Sequence, residues 1–136
     1  NNYLYTMKHQ IDSVAEFHKV FDNTDKDSPG LINPDTYQLR YNLMLEEVDE
    51  YYQACYDNDL PGIADALGDQ LYILCGTILK HGLQHKIEEV FNEIHASNMS
   101  KLGEDGKPIY REDGKVLKGP GYFKPNITAV LYGKDC

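Results

Sequence analysis

The chain has 136 residues, 22 acidic against 13 basic, a formal charge of −9 and 41% hydrophobic residues. That is the length of one domain with enough apolar residues for a core, which excludes a disordered tail; the negative charge excludes a general basic surface for nucleic-acid polymers. The longest apolar stretch, residues 71–79, is too short to span a bilayer, and no charged-then-apolar leader opens the chain. Three cysteines (Cys55, Cys75 and Cys136), with no CxxC, read as reduced thiols of a cytoplasmic protein, two of them packed in the core.

A first amphipathic helix is expected over residues 8–21, where Ile11, Val14, Phe17, His18 and Phe21 recur at three- and four-residue spacing. Residues 23–34 form a loop rich in Asp, Ser, Pro, Gly and Asn. A second helix starts at Asn33–Asp35, with Asn33 as cap and Pro34 at the first helical position, and runs to Tyr56. Residues 57–61 break it. The third helix is expected over residues 62–79 with Gly82 as a stop signal. The fourth covers residues 84–101, with Ile87, Val90, Phe91, Ile94 and Ala96 as its apolar positions. Residues 103–125 then change character: five glycines and three prolines mark a loop, with a short hairpin turning at Asp113-Gly114. A last short helix is expected over residues 126–132. The class is all-α: one domain over residues 1–136, a four-helix bundle-like core over residues 8–102, and an irregular Gly/Lys-rich segment over residues 103–136.

The charge is unevenly spread. Residues 40–79 hold eight acids and one base, whereas residues 101–136 hold seven bases and five acids. On a helix each residue turns about 100°, so with Glu46 as origin Glu50 lies about 40° away and Glu47 about 100° away. Three carboxylates therefore share one face. Asp65 and Asp69, four residues apart on the next helix, share another. Between Glu46 and Leu79 there is no Lys or Arg. Each like-charged neighbour pair costs about 0.2–0.5 kcal/mol, roughly 1–2 kcal/mol together, and facing the two helices adds to it. A solvated helix face would intersperse both signs. The oxygen-only donor set calls for a hard divalent cation, Mg²⁺ or Mn²⁺; zinc is not expected, because no His or Cys cluster accompanies the acids. Apolar neighbours (Leu43, Leu45, Val48, Tyr52, Cys55; Leu67, Leu71, Leu74, Ile78) set the acids at the border of a core.

Arg40-xx-Leu43-Met44-xx-Glu47-xx-Glu50, with Glu46 before it, resembles the EExxE motif of the all-α nucleoside triphosphate pyrophosphohydrolases, the MazG-like and phosphoribosyl-ATP pyrophosphohydrolase-like proteins. Asp69-Gln70-Leu71-Tyr72 is similar to the end of the family's ExxD element. Ser97-Asn98-Met99-Ser100-Lys101, the tail Asp113-Gly114-Lys115-Val116-Leu117-Lys118 and Phe17-His18 add to the likeness. One departure is visible: the Glu of ExxD falls on Ala66, and Asp65 stands one residue earlier. A site with one ligand fewer, a water in its place, or Asp65 as substitute would each accommodate it.

The resemblance implies Mg²⁺-dependent hydrolysis of a nucleoside triphosphate to the monophosphate and pyrophosphate. It implies Glu47, Glu50 and Asp69 as direct metal ligands, with Asp65 as an additional candidate, and Glu46 as a further ligand or as the base that takes the proton from the attacking water. Glu46 and Glu47 are the candidate catalytic pair. Lys101, Lys115, Lys118 and Arg111 would hold phosphate oxygens, Asn98 a base edge or sugar, His18 the wall of a base pocket, and Tyr122 a stacking surface. The Gly-rich segment suits a lid over substrate. Nucleotide-pool house-cleaning on a free (d)NTP is the leading expectation, with a pyrimidine such as dUTP or dCTP preferred from the relatives it most resembles. Phosphoribosyl-ATP as substrate, and a non-enzymatic helical bundle that binds a metal or a partner, are the alternatives. Family members assemble, so a homodimer or higher homo-oligomer is expected.

Overall fold

The computed structural model describes residues 6–21 and 24–133; Cys136 lies outside them. The elements run α1 (Lys8–Phe21), α2 (Pro34–Tyr56), α3 (Leu60–Lys80), α4 (Ile87–Met99), β1 (Ile109–Tyr110), β2 (Val116–Leu117) and α5 (Ile127–Tyr132). The protein is all-α, with one two-residue hairpin as its sheet. Its described residues fall into two units, divided between His85 and Lys86. No described helix is long and apolar enough to cross a membrane.

In the first unit α3 is the central element, packed against both α1 and α2. Ile11 and Val14 of α1, Ala54 of α2, and Ala66, Cys75, Ile78 and Leu79 of α3 are buried. Burial pushes the Cys75 thiol pKa up, which keeps it protonated. The Asn33 side chain accepts from the Thr36 N–H at 2.8 Å and caps α2, with Pro34 in its first turn. Asp59 does the same for α3, accepting from the Gly62 N–H at 3.0 Å. That cap starts α3 at Leu60, ahead of the expected Gly62, because a proline in the first turn forfeits an N–H that has no helical partner anyway. α3 ends where Gly82 takes φ +67°; a Cβ there would run into the Ser28 carbonyl. The loop before α2 is tied to this end: Lys26 N–H donates to Leu79 O at 3.1 Å, Gly30 N–H to His81 O at 2.9 Å, and the Gln84 amide to Lys26 O at 2.7 Å.

The second unit is built on α4. This helix is shorter than the expected residues 84–101, since Gln84 is committed to the Lys26 carbonyl and Lys86 supplies no side-chain cap. The following segment folds back on the C-terminal end of α4. Ser97 Oγ donates to Phe123 O at 2.8 Å, Phe123 N–H donates to Ser100 Oγ at 3.1 Å, and Gly119 N–H donates to Lys101 O at 2.8 Å. α4 thus groups with the Gly/Lys-rich segment rather than ending before it. The hairpin pairs Ile109 with Leu117 and Tyr110 with Val116, and Gly114 turns it at φ +89°, in the expected place. Asn126 caps α5 through Ala129 N–H.

Candidate metal centre

The acids of α2 and α3 meet. Glu47 and Glu50, three residues apart on α2, and Asp69 on α3 each bring a carboxylate oxygen within 4.8 Å of the others. The helix period puts the two glutamates on neighbouring turns of one face, and the packing of α2 on α3 brings Asp69 to them. The Gln70 side-chain amide, next to Asp69, reaches the Glu47 backbone carbonyl at 3.4 Å and ties the helices at this level.

The electrostatics of this trio are unfavourable without a cation. The Glu47 carboxyl is pushed up to about 7, first by desolvation, then by a hydrogen bond shared with Glu50, then by the charges of Glu50, Asp69 and Glu46. Glu47 Oε2 is buried and has no hydrogen-bond partner among the described residues. A buried acceptor left in that state costs about 1–3 kcal/mol. Among the described residues no ion pair reaches Glu47, Glu50 or Asp69. An oxygen-only set of converging carboxylates with an orphaned buried oxygen fits a hard divalent cation, which would satisfy Oε2 and relieve the repulsion together.

Two of the five expected carboxylates stand outside the trio. Glu46 is exposed and close enough to raise the Glu47 pKa. Asp65 is exposed and is not among the converging acids. Ala66, where the resemblance places a glutamate, is 1% exposed and fills core space with a methyl group. Among the described residues, the acids that converge are Glu47, Glu50 and Asp69, without Asp65.

His18, the expected wall of a base pocket, is 5% exposed. Its Nδ1 pairs with Asp25 at 2.7 Å, and Lys80 Nζ lies 3.7 Å from the same carboxylate and donates to Thr24. The structure therefore sets His18 in a buried polar junction between α1 and α3. Nothing in the spacing of Asp25, Lys80 and His18 along the chain announces this cluster, because it is assembled by the loop after α1.

The remaining candidates belong to the second unit. Asn98 is exposed at the end of α4, and Lys101 is half-buried just beyond it. Lys118 Nζ sits 4.8 Å from the centre of the Tyr122 ring, so that cation and ring form one surface. Arg111 is engaged by Asp113, its Nε donating at 2.9 Å; this raises the Arg111 pKa and lowers that of Asp113. Lys115 is exposed, its N–H donating to Asp113 at 3.1 Å. The serines of Ser97-Asn98-Met99-Ser100-Lys101 belong to a motif of the resemblance, but the sequence assigns them no role. They form the clasp on Phe123, and two hydroxyls three residues apart at a helix end were the available signal.

The fold and trio define an all-α protein with a carboxylate cradle between two packed helices. The model of the phosphoribosyl-ATP pyrophosphohydrolase family matches residues 14–98, a span that contains α2, α3 and every carboxylate of the cradle; the chain belongs to that family. It is also similar to uncharacterized protein L479 of Acanthamoeba polyphaga mimivirus, 37% identical over 113 residues, which are 83% of this chain and 38% of that protein; the chain spans less than half of that relative. A crystal structure of a proposed NTP pyrophosphohydrolase from Exiguobacterium sp. 255-15 is 27% identical, with a TM-score of 0.48 over 88% of this chain and 90% of that one.

Proposed function

We propose that the protein is a divalent-cation-dependent pyrophosphohydrolase that converts a nucleoside triphosphate and water to the monophosphate and pyrophosphate. The observation that carries this is the trio Glu47, Glu50 and Asp69, whose carboxylate oxygens converge within 4.8 Å of one another, together with a buried Glu47 oxygen that has no partner among the described residues, in a chain of the phosphoribosyl-ATP pyrophosphohydrolase family. Those three residues would hold Mg²⁺, or Mn²⁺ in its place. Bound there, the cation supplies charge neutralisation, polarisation of phosphoryl oxygens and a lower pKa for the attacking water.

The chain's own residues do the rest. Glu46, exposed beside the trio, takes the proton of the attacking water on its carboxylate, or serves as a further ligand. Glu47 is ready to exchange a proton for a cation near neutral pH. Lys101, Lys115 and Lys118 neutralise phosphate oxygens, Arg111 does so once freed from Asp113, and Asn98 and Tyr122 offer a hydrogen-bonding edge and a ring to the base. A free (d)NTP, with a pyrimidine deoxynucleotide preferred, is the reading adopted for the substrate. The family match favours a second one, phosphoribosyl-ATP.

We also propose assembly into at least a homodimer in the cytoplasm, supported by the apolar side chains that α2 leaves exposed, Tyr41 at 60%, Tyr52 at 73% and Tyr56 at 77%. Sedimentation as a fully active 15.5 kDa monomer would reject it. The test of function is pyrophosphate release from a panel of nucleoside triphosphates and phosphoribosyl-ATP, with Mg²⁺ and with EDTA. Release from one substrate class in Mg²⁺ alone is expected. No release from any of them would favour a non-enzymatic metal- or partner-binding bundle.

A further inference from the structure

Three contacts between α2 and α3 fall on one register. Arg40 stands against Gly76: its Nη2 donates to the Ile73 carbonyl at 2.7 Å and its Nε to Thr77 Oγ1 at 3.0 Å. A Cβ on Gly76 would strike the guanidinium and come within 3.1 Å of His18 Nε2. Glu47 stands against Asp69 in the cradle. Ala54 stands against Gly62, where an added Cβ would lie 3.2 Å from the alanine methyl. Positions 40, 47 and 54 rise by sevens while 76, 69 and 62 fall by sevens. Seven residues are about two helical turns, so each triplet lines one stripe and the stripes run antiparallel. The same register sets Ala66 opposite Glu50.

The middle layer works against itself, since it gathers like charges. Sliding α2 along α3 by one turn would relieve that repulsion, and would carry the carboxylates about 5.4 Å apart along the axis. Arg40 lies roughly 10 Å from the cradle along the helix, about one Debye length, so its charge is a poor counterion there. Its directional bonds are another matter. A planar fork with separate donors grips a backbone carbonyl and a hydroxyl one turn apart on α3, and Gly76 leaves it the room.

We propose that Arg40 is a positioning residue for the cradle: its guanidinium, seated over Gly76 and bonded to Ile73 and Thr77, fixes the register of α2 on α3 that brings Glu47 and Glu50 to Asp69. The inference rests on the metal reading of that trio. Arg40 touches no substrate in this role; it acts through the two helices.

The test is Mn²⁺ affinity by electron paramagnetic resonance on the full chain, with circular dichroism and metal-free Tm measured on the same samples. The variants are Arg40→Lys, Arg40→Met, Gly76→Ala, the double Arg40→Met/Gly76→Ala, and Val14→Ala as a core control away from the latch. Arg40→Met and Gly76→Ala should each weaken Mn²⁺ about tenfold or more, the range for loss of a group that orients metal ligands. The double should be no worse than the stronger single, as expected when both act through one contact. Arg40→Lys keeps the charge and should lose affinity all the same, and it serves with Gly76→Ala if Arg40→Met does not fold. Val14→Ala should lower Tm and bind Mn²⁺ as the wild type does. Wild-type affinity in Gly76→Ala or Arg40→Lys overturns the latch, as does an equal affinity loss in Val14→Ala. Failure of the wild type itself to bind Mn²⁺ overturns the cradle reading and the latch with it. A failing latch is told apart, because the wild type would then still bind Mn²⁺.

Discussion

Two layers of the same helix pair treat charge in opposite ways. At Arg40 and Gly76 the charged group is satisfied: it bonds to Ile73 O and Thr77 Oγ1, with a glycine opposite to admit it. Two turns along, at Glu47 and Asp69, the charged groups repel, one carboxyl is pushed up to about 7, and one buried oxygen has no partner among the described residues. Both layers are built on the same backbone geometry, so the difference lies in what each is for. A satisfied layer holds position. An unsatisfied one is stabilised by whatever supplies the missing charge, and the function proposed above gives that part to a cation.

The sharpest way to break this contrast is at Asp69. Asp69→Asn removes α3's contribution to the trio and should weaken Mn²⁺ at least about a hundredfold, more than loss of an outer partner costs; titration by electron paramagnetic resonance reads it. Next comes Glu47→Gln, which should abolish hydrolysis yet raise the metal-free Tm by about 3–5 °C, the equivalent of roughly 1 kcal/mol in a chain of this size. A variant that loses both metal and stability would mean that the repulsion is not there.

The pH dependence follows from the same carboxyl. The Glu47 pKa in the folded protein is about 7, above its ordinary 4.5. Between those values the folded chain holds a proton that the unfolded chain has released, so metal-free stability should fall as pH rises through this window. Cation binding must displace that proton. Mn²⁺ affinity should therefore climb by up to about tenfold per pH unit below pH 7 and level off above it, with proton release visible by calorimetry in two buffers. An affinity flat from pH 5.5 to 8 contradicts the raised pKa. The smallest effect is expected in the second unit: Ser97→Ala removes the bond to Phe123 O, should cost about 1–2 kcal/mol of stability, and should speed proteolysis of residues 103–124, with Mn²⁺ affinity unchanged.

Much of the architecture was legible before any coordinates. α1 and α2 lie where the periodicity and the Asn33-Pro34 start signal put them, and the Asp113-Gly114 hairpin is present, because caps and turns are local chemistry. The grouping of Glu47 with Glu50 was legible too, since helical spacing alone brings the two side by side. What escaped is non-local. Ala66 rather than Asp65 points into the core, and helical phase relative to a packed neighbour is not written in one helix. The pairing of His18 with Asp25 depends on a loop path, and the latch of Arg40 depends on a register that only the assembled pair defines.

The most direct test of the central claim is pyrophosphate release by the wild type and by Glu50→Gln, side by side, in Mg²⁺ and in EDTA. The account predicts release by the wild type in Mg²⁺, none in EDTA, and a rate lowered by about three orders of magnitude or more in Glu50→Gln, the scale of losing a principal source of transition-state charge stabilisation. Full Mg²⁺-dependent hydrolysis by Glu50→Gln would contradict it.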